Sequence, residues 1–266
     1  MDNKFKIDQI IIVIILFFYS YNSHAQESNN YIKVVYKFHV PNNGKMSDDI
    51  YSQLTANNEH SIFISERDDF PKPENKITQD GNSISIKVIE SDEIGSYVYR
   101  NFSKDSIVFR EVGSKFMNAI LVVDHWKAIS WDISEEKKKI GDYECQKASG
   151  YFRGRIYTAW FASEIPISSG PWKLFGLPGL ILEAYDSSMH FYVIASEIIF
   201  NIKTDVEIKA VYNNNETKFN YEEFKLYRKN YKEEYVKSIK AKLPRGANLN
   251  LKPSDIKNSP IESEFE

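Results

Sequence analysis

The sequence predicts a mainly β fold of the α+β class, a curved antiparallel sheet or half-barrel followed by a C-terminal amphipathic helix. The first observation is a series of short stretches that alternate between apolar and polar residues and are separated by turn residues. The second is a change to helical spacing near residue 221. The third is the content of 17 Tyr and 17 Phe, large side chains that suit a β-rich core. Strands followed by a helix favour an antiparallel sheet with the helix on one side.

Residues 1–25 have the pattern of a cleaved signal peptide. Two lysines, Lys4 and Lys6, precede an apolar run at 10–19, and Ser23-His24-Ala25 fits the small-x-small pattern of a cleavage site. The run is shorter than the roughly 20 residues of a membrane-spanning helix, which favours cleavage over an uncleaved anchor. We therefore expect an exported protein with no transmembrane span after cleavage.

A single β-rich domain is expected over 26–246, with a polar tail at 247–266. The expected strands are 31–40, 61–66, 83–90, 96–102, 106–112, 119–124, 128–133, a stretch around Cys145, 151–162, 180–185, 190–198 and 206–212. We expect 47–54 to form a helical turn or a loop. The charged run 135–139 is expected to be a solvated loop or a sheet edge.

Residues 221–241 predict an amphipathic helix at the end of the domain. Asn220 is a typical N-cap residue, and Glu223, three positions later, completes a capping-box pattern. Aromatic and apolar residues then recur at three- and four-residue steps along one face, at Phe224, Tyr227, Tyr231, Tyr235 and Ile239. We expect this face to pack on or beside the sheet.

Two turn signals surround a short apolar segment and predict a rigid corner before a buried strand. The first is Gly170-Pro171. The second is Leu177-Pro178-Gly179, which fits a type II turn with positive φ at the glycine. The residues expected to form the corner are Gly170, Pro171, Gly176, Pro178 and Gly179.

The hexapeptide Gly176-Leu177-Pro178-Gly179-Leu180-Ile181 in this corner resembles the signature of the GLPGLI family, exported proteins found mainly in Bacteroidetes. Upstream residues agree with the family's lead-in to the motif: Tyr157, Ala159-Trp160-Phe161, Ile165-Pro166 and Gly170-Pro171. The resemblance is close over 131–186 and general elsewhere. It implies a bacterial protein of the periplasm or the extracellular space, and the family has no established biochemical function to carry over.

No compact catalytic or metal-binding motif is present in the sequence. The histidines after the signal segment are not spaced as local metal ligands, and there is no G-x-S-x-G elbow. Ser168-Ser169-Gly170 and Asp124-His125 supply the residue types of a serine hydrolase without implying its geometry. The formal net charge of −3 gives no basic field for nucleic acid. We therefore predict no metal, no cofactor and no nucleic-acid partner, and we favour a protein that is not an enzyme.

Two residues have both a structural and a functional interpretation. Cys145, the only cysteine, is expected to be a buried small residue on a strand rather than a reactive thiol. Glu183 lies in an apolar strand, where an ion pair with Arg153 or Arg155 on a neighbouring strand is favoured over a catalytic role.

The aromatic residues near the corner fill the core or line an apolar groove. The groove hypothesis names as binding residues Tyr157, Trp160, Trp172, Phe175, Glu183 and Tyr185. It predicts an exported, non-enzymatic binding or chaperone-like protein of the cell envelope that holds a hydrophobic small molecule or a peptide. Two alternatives stay open. One is a structural or interaction partner of an outer-membrane protein assembly, and the other is a hydrolase whose residues converge only in space.

Overall fold

The computed structural model describes residues 30–42, 45–71, 76–80, 83–87, 90–124, 128–203, 208–243 and 251–255. The expected signal peptide lies outside these residues, and so does the expected tail except for 251–255, where Pro253–Asp255 forms a turn of 3-10 helix. No helix among the described residues combines the length and the apolar character that crossing a membrane requires.

Strands dominate the described residues, and a single long helix follows them. The strands are β1 (Asn30–Asn42), β2 (Lys45–Ala56), β3 (His60–Ser65), β4 (Lys76–Asp80), β5 (Ser83–Lys87), β6 (Ser96–Asn101), β7 (Ser106–Glu111), β8 (Ile120–Asp124), β9 (Trp131–Ile140), β10 (Tyr143–Phe152), β11 (Arg155–Ala162), β12 (Leu180–Asp186), β13 (Tyr192–Lys203) and β14 (Thr217–Asn220). Helix α1 spans Tyr221–Ala241. The expected mainly β class with a C-terminal helix is confirmed.

One sheet contains 12 of the strands, in the order β14-β8-β7-β6-β3-β2-β1-β13-β12-β11-β10-β9. All of its pairings are antiparallel except the parallel pairing of β14 with β8. Strands β4 and β5 form a separate hairpin. The large sheet is not closed into a barrel.

The connection between β8 and β9 requires the large sheet to curl. Ten strand spacings separate these two strands in the sheet order, or ~48 Å in a flat sheet at ~4.8 Å per spacing. The chain from Asp124 to Trp131 has only seven steps (131 − 124 = 7) and spans at most ~25 Å. The Arg153 guanidinium, in the turn between β10 and β11, lies 2.8 Å from the Asp124 carboxylate. The two ends of the sheet therefore approach each other across its inner face.

The segment at 163–179, between β11 and β12, lies against this inner face and fills it. The indole of Trp172 packs against three rings of the sheet and its loops. The distances between ring centroids are 5.9 Å to Phe152, 6.1 Å to Tyr157 and 5.8 Å to Phe191. At the other end, Phe224 of α1 packs edge-on against Phe109 of β7 at 5.0 Å. The corner and the first turns of α1 thus share one apolar core.

Two stretches expected to lack strand structure contain strands, and those expectations are wrong. Residues 47–54 belong to β2, whose inward positions are Ser52, Leu54 and Ala56. Two of these three residues are small, so the apolar alternation is too weak to be recognised in the sequence. The loop expected between the strands at 61–66 and 83–90 contains β4, which pairs with β5.

The expected continuous strand at 151–162 is instead a hairpin. Arg153 and Gly154 have φ of 51° and 81°, and Phe152 pairs directly with Arg155. Two consecutive residues with positive φ are typical of a type I′ turn, whose twist matches that of antiparallel strands. Arg153 is therefore a turn residue and does not share a strand face with Arg155.

Three other strand boundaries differ from the expected ones. The strand expected at 128–133 begins at Trp131 and continues to Ile140, so the charged run 135–139 lies in β9, the last strand of the sheet. That position confirms an edge and excludes a loop. Strand β13 extends the expected 190–198 as far as Lys203. Residues 208–212 have no strand structure, and 204–207 lie outside the described residues.

The corner turns at Gly176, one of the residues expected there, and at Trp172, but not at Gly179. Positive φ occurs at Gly176 (94°) and Trp172 (51°), and Gly179 is not among the glycines with positive φ, so the predicted type II turn is wrong. Gly179 is needed for space instead. A Cβ atom there would overlap the carbonyl group of Ala162, at the end of β11. The glycine permits β12 to begin in direct contact with the preceding strand.

The predicted helix and its cap are confirmed. The Asn220 side chain accepts a hydrogen bond from the Glu223 N–H at 2.9 Å, and the Glu223 carboxylate accepts one from the Asn220 N–H at 2.8 Å. Tyr221 and Phe224 are buried against the sheet, while the tyrosines of the later turns are half-buried and contact one another.

Candidate functional site

The aromatic residues predicted to bind a ligand separate into two groups. Tyr157, Trp172 and Phe175 lie in the core, with exposed fractions of 0%, 9% and 5%. The Phe175 carbonyl accepts a hydrogen bond from the Trp131 indole N–H at 2.8 Å. These three residues form the contact between the corner and the sheet.

A buried charge cluster holds this corner in place. The Lys173 ammonium and the Arg153 guanidinium lie 2.7 Å and 2.8 Å from the two carboxylate oxygens of Asp124. Lys173 also lies over the ring of Phe109 at 3.7 Å, and Arg153 lies over that of Tyr221 at 4.2 Å. Burial alone would raise the pKa of Asp124, but the two cations outweigh it and hold the pKa below its ordinary value. Asp124 is therefore ionised at neutral pH.

Arg100 is a second buried cation beneath the corner. Its guanidinium donates to the carbonyl of Trp172 and, at 3.1 Å, to the hydroxyl of Ser61, and it lies 5.2 Å from the Phe175 ring. Burial lowers the pKa of Arg100 to about 9, against an opposing contribution from Tyr36. The group still carries its proton at pH 7. It satisfies the carbonyl of Trp172, a corner residue with positive φ.

The other predicted binding residues, Trp160, Glu183 and Tyr185, meet on the outer face of the sheet. Trp160 of β11 pairs with Glu183 of β12, and Tyr185 pairs with Tyr192 of β13. Cross-strand pairing extends the first pair into a row over six strands from β10 to β2, namely Lys147, Trp160, Glu183, Ile194, Lys37 and Tyr51. We call Lys138, Lys147, Trp160, Glu183, Tyr185 and Tyr192 the outer cluster.

Charged and aromatic groups alternate within the outer cluster. The Lys138 ammonium lies 2.6 Å from a Glu183 carboxylate oxygen and 4.4 Å from the Trp160 ring centroid. The Lys147 ammonium lies 6.0 Å from the same ring. Glu183 is 8% exposed at its side chain, whereas Lys138 is 35% exposed. The cluster therefore presents its cations to solvent and keeps its carboxylate beneath them.

Tyr185 and Tyr192 form the partly exposed aromatic surface of this cluster. Their rings stack at 6.1 Å with an interplanar angle of 29°. The pKa of Tyr192 is raised by burial and by the charge of Glu183, with which its hydroxyl forms a hydrogen bond. The phenol therefore stays protonated and can donate to the carboxylate. This hydrogen bond fixes one side of Glu183, while Lys138 fixes the other.

The expected ion pair of Glu183 with Arg153 or Arg155 is wrong. Arg153 lies in the turn and pairs with Asp124, while Arg155 pairs with Asp186 at 2.7 Å. The partner of Glu183 is Lys138 on the edge strand. Sequence reasoning missed Lys138 because it stands within a charged run that is typical of solvated segments.

Cys145 is fully buried beside this cluster, as expected for a small core residue on a strand. It pairs with Lys138 across β9 and β10. Burial raises the pKa of the thiol to about 11, against an opposing contribution from Lys138. The sulfur is therefore a neutral thiol at pH 7 and not a nucleophile.

A serine, a histidine and an aspartate do meet, but at a turn that sequence reasoning missed. The Ser188 hydroxyl lies 2.5 Å from a carboxylate oxygen of Asp186 and 2.7 Å from Nδ1 of His190. The pKa of Asp186 is lowered, because hydrogen bonds from the Phe191 N–H, Ser188 and Arg155 outweigh the effect of burial. Since the carboxylate is ionised, the Ser188 hydroxyl donates its hydrogen bond to Asp186 and not to Nδ1 of His190.

That proton direction is opposite to the one in a serine nucleophile, which donates to histidine. The spacing of the three residues at positions i, i+2 and i+4 was the signal in the sequence. The hydrolase residues considered first do not assemble: Ser169 is fully buried, Asp124 is held by two cations, and His125 lies outside the described residues. Within the described ranges, no group of three or more His, Cys, Asp or Glu residues could hold a metal ion.

Comparison with protein families matches the region that carries the interior aromatic residues together with Trp160 and Glu183 of the outer cluster. Residues 152–183 are similar to a family model described as "Protein of unknown function (Porph_ging)". The match runs from the end of β10 through the corner to Glu183. It contains Trp160 as well as Trp172. No curated protein matches the chain.

Several solved structures are similar to the chain, among them these three. Two are structures of PNGF-II, in space groups P21 and C2, with TM-scores of 0.48 and 0.47 and 15% identity. They match over 79% of this chain and 34% and 33% of theirs, so the chain spans about a third of the length of PNGF-II. The third is an uncharacterized conserved protein from Thermus thermophilus, with a TM-score of 0.38 and 10% identity over 71% of this chain and 90% of that chain.

Proposed function

We propose that this chain is an exported binding protein of the bacterial cell envelope, not an enzyme, and that it binds an extended peptide across the outer cluster. The observation that supports this most directly is the stacked pair Tyr185–Tyr192, which is partly exposed beside Trp160 and Glu183 on the outer face of the sheet. Aromatic side chains with a polar tip supply contact area at low entropic cost.

A peptide suits this surface better than an enclosed hydrophobic molecule. A small apolar ligand is usually held in a concave pocket that buries most of its surface. The aromatic residues of the interior are instead in contact with one another, as in the pairs Trp172–Phe152 and Trp172–Tyr157. The row from Lys147 to Tyr51 crosses six strands, so it offers side chains along the length of an extended peptide.

The charges of the row favour a particular peptide chemistry. Lys37, Lys138 and Lys147 border the aromatic surface, whereas Glu183 lies buried beneath Lys138. The exposed carboxylate of Glu136 pairs with Lys147 at 2.9 Å, and an acidic peptide would compete with it for that lysine. An aromatic or apolar anchor residue flanked by Asp or Glu would meet complementary charges at its ends. We therefore propose that the preferred peptides are acidic around an aromatic anchor.

The test is a peptide array probed with the purified protein. One set of peptides carries a central Trp, Tyr or Phe flanked by acidic residues, and a matched set carries the same centre flanked by lysines. We expect retention on the acidic set, and at least ~tenfold weaker binding by the double variant Tyr185→Ala/Tyr192→Ala, because central aromatic contacts carry most of the binding free energy. The matched control Tyr212→Ala, a tyrosine 50% exposed elsewhere on the surface, should bind as the parent does. Equal retention of both sets, or unchanged binding by the double variant, would contradict the proposal.

Membership of the GLPGLI family and export across the inner membrane belong to this proposal. The hexapeptide at 176–181 lies within the matched region, which supports the first. The N-terminal pattern supports the second. Protein sequencing of the N-terminus after purification from the cell envelope should begin at Gln26, and an intact N-terminus in a membrane fraction would oppose it.

A further inference from the structure

Strand β9 forms one end of the large sheet, and its outer edge faces no strand within the described residues. The strand is ten residues long, from Trp131 to Ile140. An edge of this length presents a row of backbone N–H and C=O groups that another strand can pair with. Charged side chains commonly protect such edges, and β9 carries the run Glu135-Glu136-Lys137-Lys138-Lys139.

This run is arranged so that the charge changes sign along the strand. Its first two residues are acidic and its last three are basic. A uniformly charged edge repels any copy of itself. An edge with one acidic half and one basic half repels a parallel copy in register but attracts an antiparallel one. In the antiparallel pair, the acidic half of each strand lies opposite the basic half of the other.

We infer that β9 is a self-recognition edge at which a second copy of this chain pairs antiparallel, joining the two large sheets into one. A two-fold axis perpendicular to the sheet at Lys137 places Glu136 opposite the second copy's Lys138 and Glu135 opposite its Lys139. By symmetry each pair occurs twice, so that four Glu–Lys pairs surround the axis. On the axis itself Lys137 lies opposite its own copy, and its ammonium is already paired with Glu144 at 2.7 Å. Such closed, two-fold contacts are the commonest form of self-association.

The faces of the strand are consistent with this register. Residues opposite each other in an antiparallel pair must point to the same side of the sheet. The pairing of β9 with β10 shifts between Ile133 and Lys137, where residues 134–136 lie opposite Lys147. Because the shift adds two residues, an even number, the even-numbered residues lie on the same face before and after it, and the ion pair with Lys147 places Glu136 on that face as well. Glu136 and Lys138 therefore share the outer face, and Glu135 and Lys139 share the other.

Existing ion pairs leave the charges at this edge accessible. Glu136 pairs with Lys147 at 2.9 Å, and the Glu136 side chain keeps 61% of its exposure. Glu135 and Lys139 are both exposed. These last two residues suit a test best, because neither takes part in the outer cluster.

The experiment measures association of the purified protein by sedimentation equilibrium over a concentration series. We expect a reversible dimer that weakens as salt rises, since the screening length falls from ~10 Å at 0.1 M to ~3 Å at 1 M. Glu135→Lys alone opposes like charges at two places, and so does Lys139→Glu alone. Each variant should dissociate at least tenfold more readily than the parent.

The decisive step is to mix the two variants in equal amounts. In the mixed pair, the lysine introduced at position 135 of one variant lies opposite the glutamate introduced at position 139 of the other. At the second place, the unchanged Lys139 of the first variant lies opposite the unchanged Glu135 of the second, so attraction returns at both places. The mixture should associate as strongly as the parent. Glu233→Lys, at an exposed helix position, controls for the change in net charge, and circular dichroism checks that each variant is folded.

Three outcomes would overturn the inference. The first is a parent protein that stays monomeric at every concentration and salt level. The second is a pair of single variants that associate as the parent does, which would place any dimer contact elsewhere. The third is a mixture that associates no better than either variant alone, which would show that the opposed pairs are not in contact.

Discussion

The interior beneath the corner and the outer cluster are built from the same materials but have different environments. Each combines tryptophan, tyrosine and lysine with one carboxylate, and both draw on the stretch 157–185. In the interior, Asp124 and Lys173 are 0% and 1% exposed at their side chains. On the outer face, Glu183 is 8% and Lys138 is 35% exposed. The ammonium of Lys173 is therefore buried, whereas that of Lys138 reaches solvent.

This difference indicates what each region can do. A fully buried ion pair has no access to a ligand, and its removal is costly because the remaining charge cannot be hydrated. A half-exposed pair loses little when it rearranges, so it can change partners when a ligand arrives. The contrast supports our proposal that the interior maintains the fold and that the outer face binds a ligand, although the two contain similar residues.

The largest expected effect is that of removing the interior carboxylate. Asp124→Asn leaves Lys173 and Arg153 buried without their counter-charge, and we expect a loss of ~3–5 kcal/mol in the free energy of unfolding. Urea denaturation at pH 7 measures it. Asp132→Asn, at an exposed position on β9, is the matched control and should change stability by less than ~0.5 kcal/mol.

The pH dependence of the same variant sharpens the assignment. The folded-state pKa of Asp124 is lowered, so its contribution to stability is fully present above the unfolded value of ~3.9 and is lost as pH falls through the folded value. The stability difference between the parent and Asp124→Asn should therefore be largest at neutral pH and should shrink below pH ~4. A difference that is constant down to acid pH would mean that the carboxylate charge is not what holds the corner.

The local pattern of the sequence predicted elements whose signals lie within a few residues. The cap of α1 is one, because Asn220 and Glu223 are three positions apart and satisfy each other directly. The alternating strand β1 and the buried strand β12 are others. Cys145 was also placed correctly, since a small residue in an alternating strand has few other environments open to it.

The contacts that define the two regions could not be predicted in the same way. Lys173 meets Asp124 from a distance of 49 positions, and no local pattern encodes that pairing. The Arg153-Gly154 turn was missed because the alternation of apolar residues continues on both sides of it. As a result Trp160 and Trp172 were assigned to a single groove. In the structure Trp172 lies in the interior, with the corner, and Trp160 lies on the outer face of the sheet.

Two glycines compare the cost of a close backbone approach in the corner with the cost of positive φ in a turn elsewhere. Gly179→Ala places a Cβ against the Ala162 carbonyl. It should lower the free energy of unfolding by at least ~1–3 kcal/mol, because the backbone has to move. Gly141→Ala, in the β9–β10 turn with φ of 58° and no heavy atom within 4 Å of an added Cβ, should cost ~1–2 kcal/mol through backbone strain alone. Thermal unfolding of both variants ranks them. If Gly179→Ala proves the milder, the close approach of β12 to β11 is not required for the corner.

The smallest expected effect is the coupling of Lys138 to Glu183, and it separates the outer cluster most directly from the interior. In a double-mutant cycle of Lys138→Met and Glu183→Gln, we expect a coupling of ~0.5–1.5 kcal/mol, because one partner is half-exposed and the pair is partly screened by solvent. The matching cycle of Lys173→Met and Asp124→Asn should give a coupling at least twice as large. Equal couplings would mean that the outer pair is as fixed as the interior one, and the outer cluster would then lose the freedom to exchange partners that recognition requires.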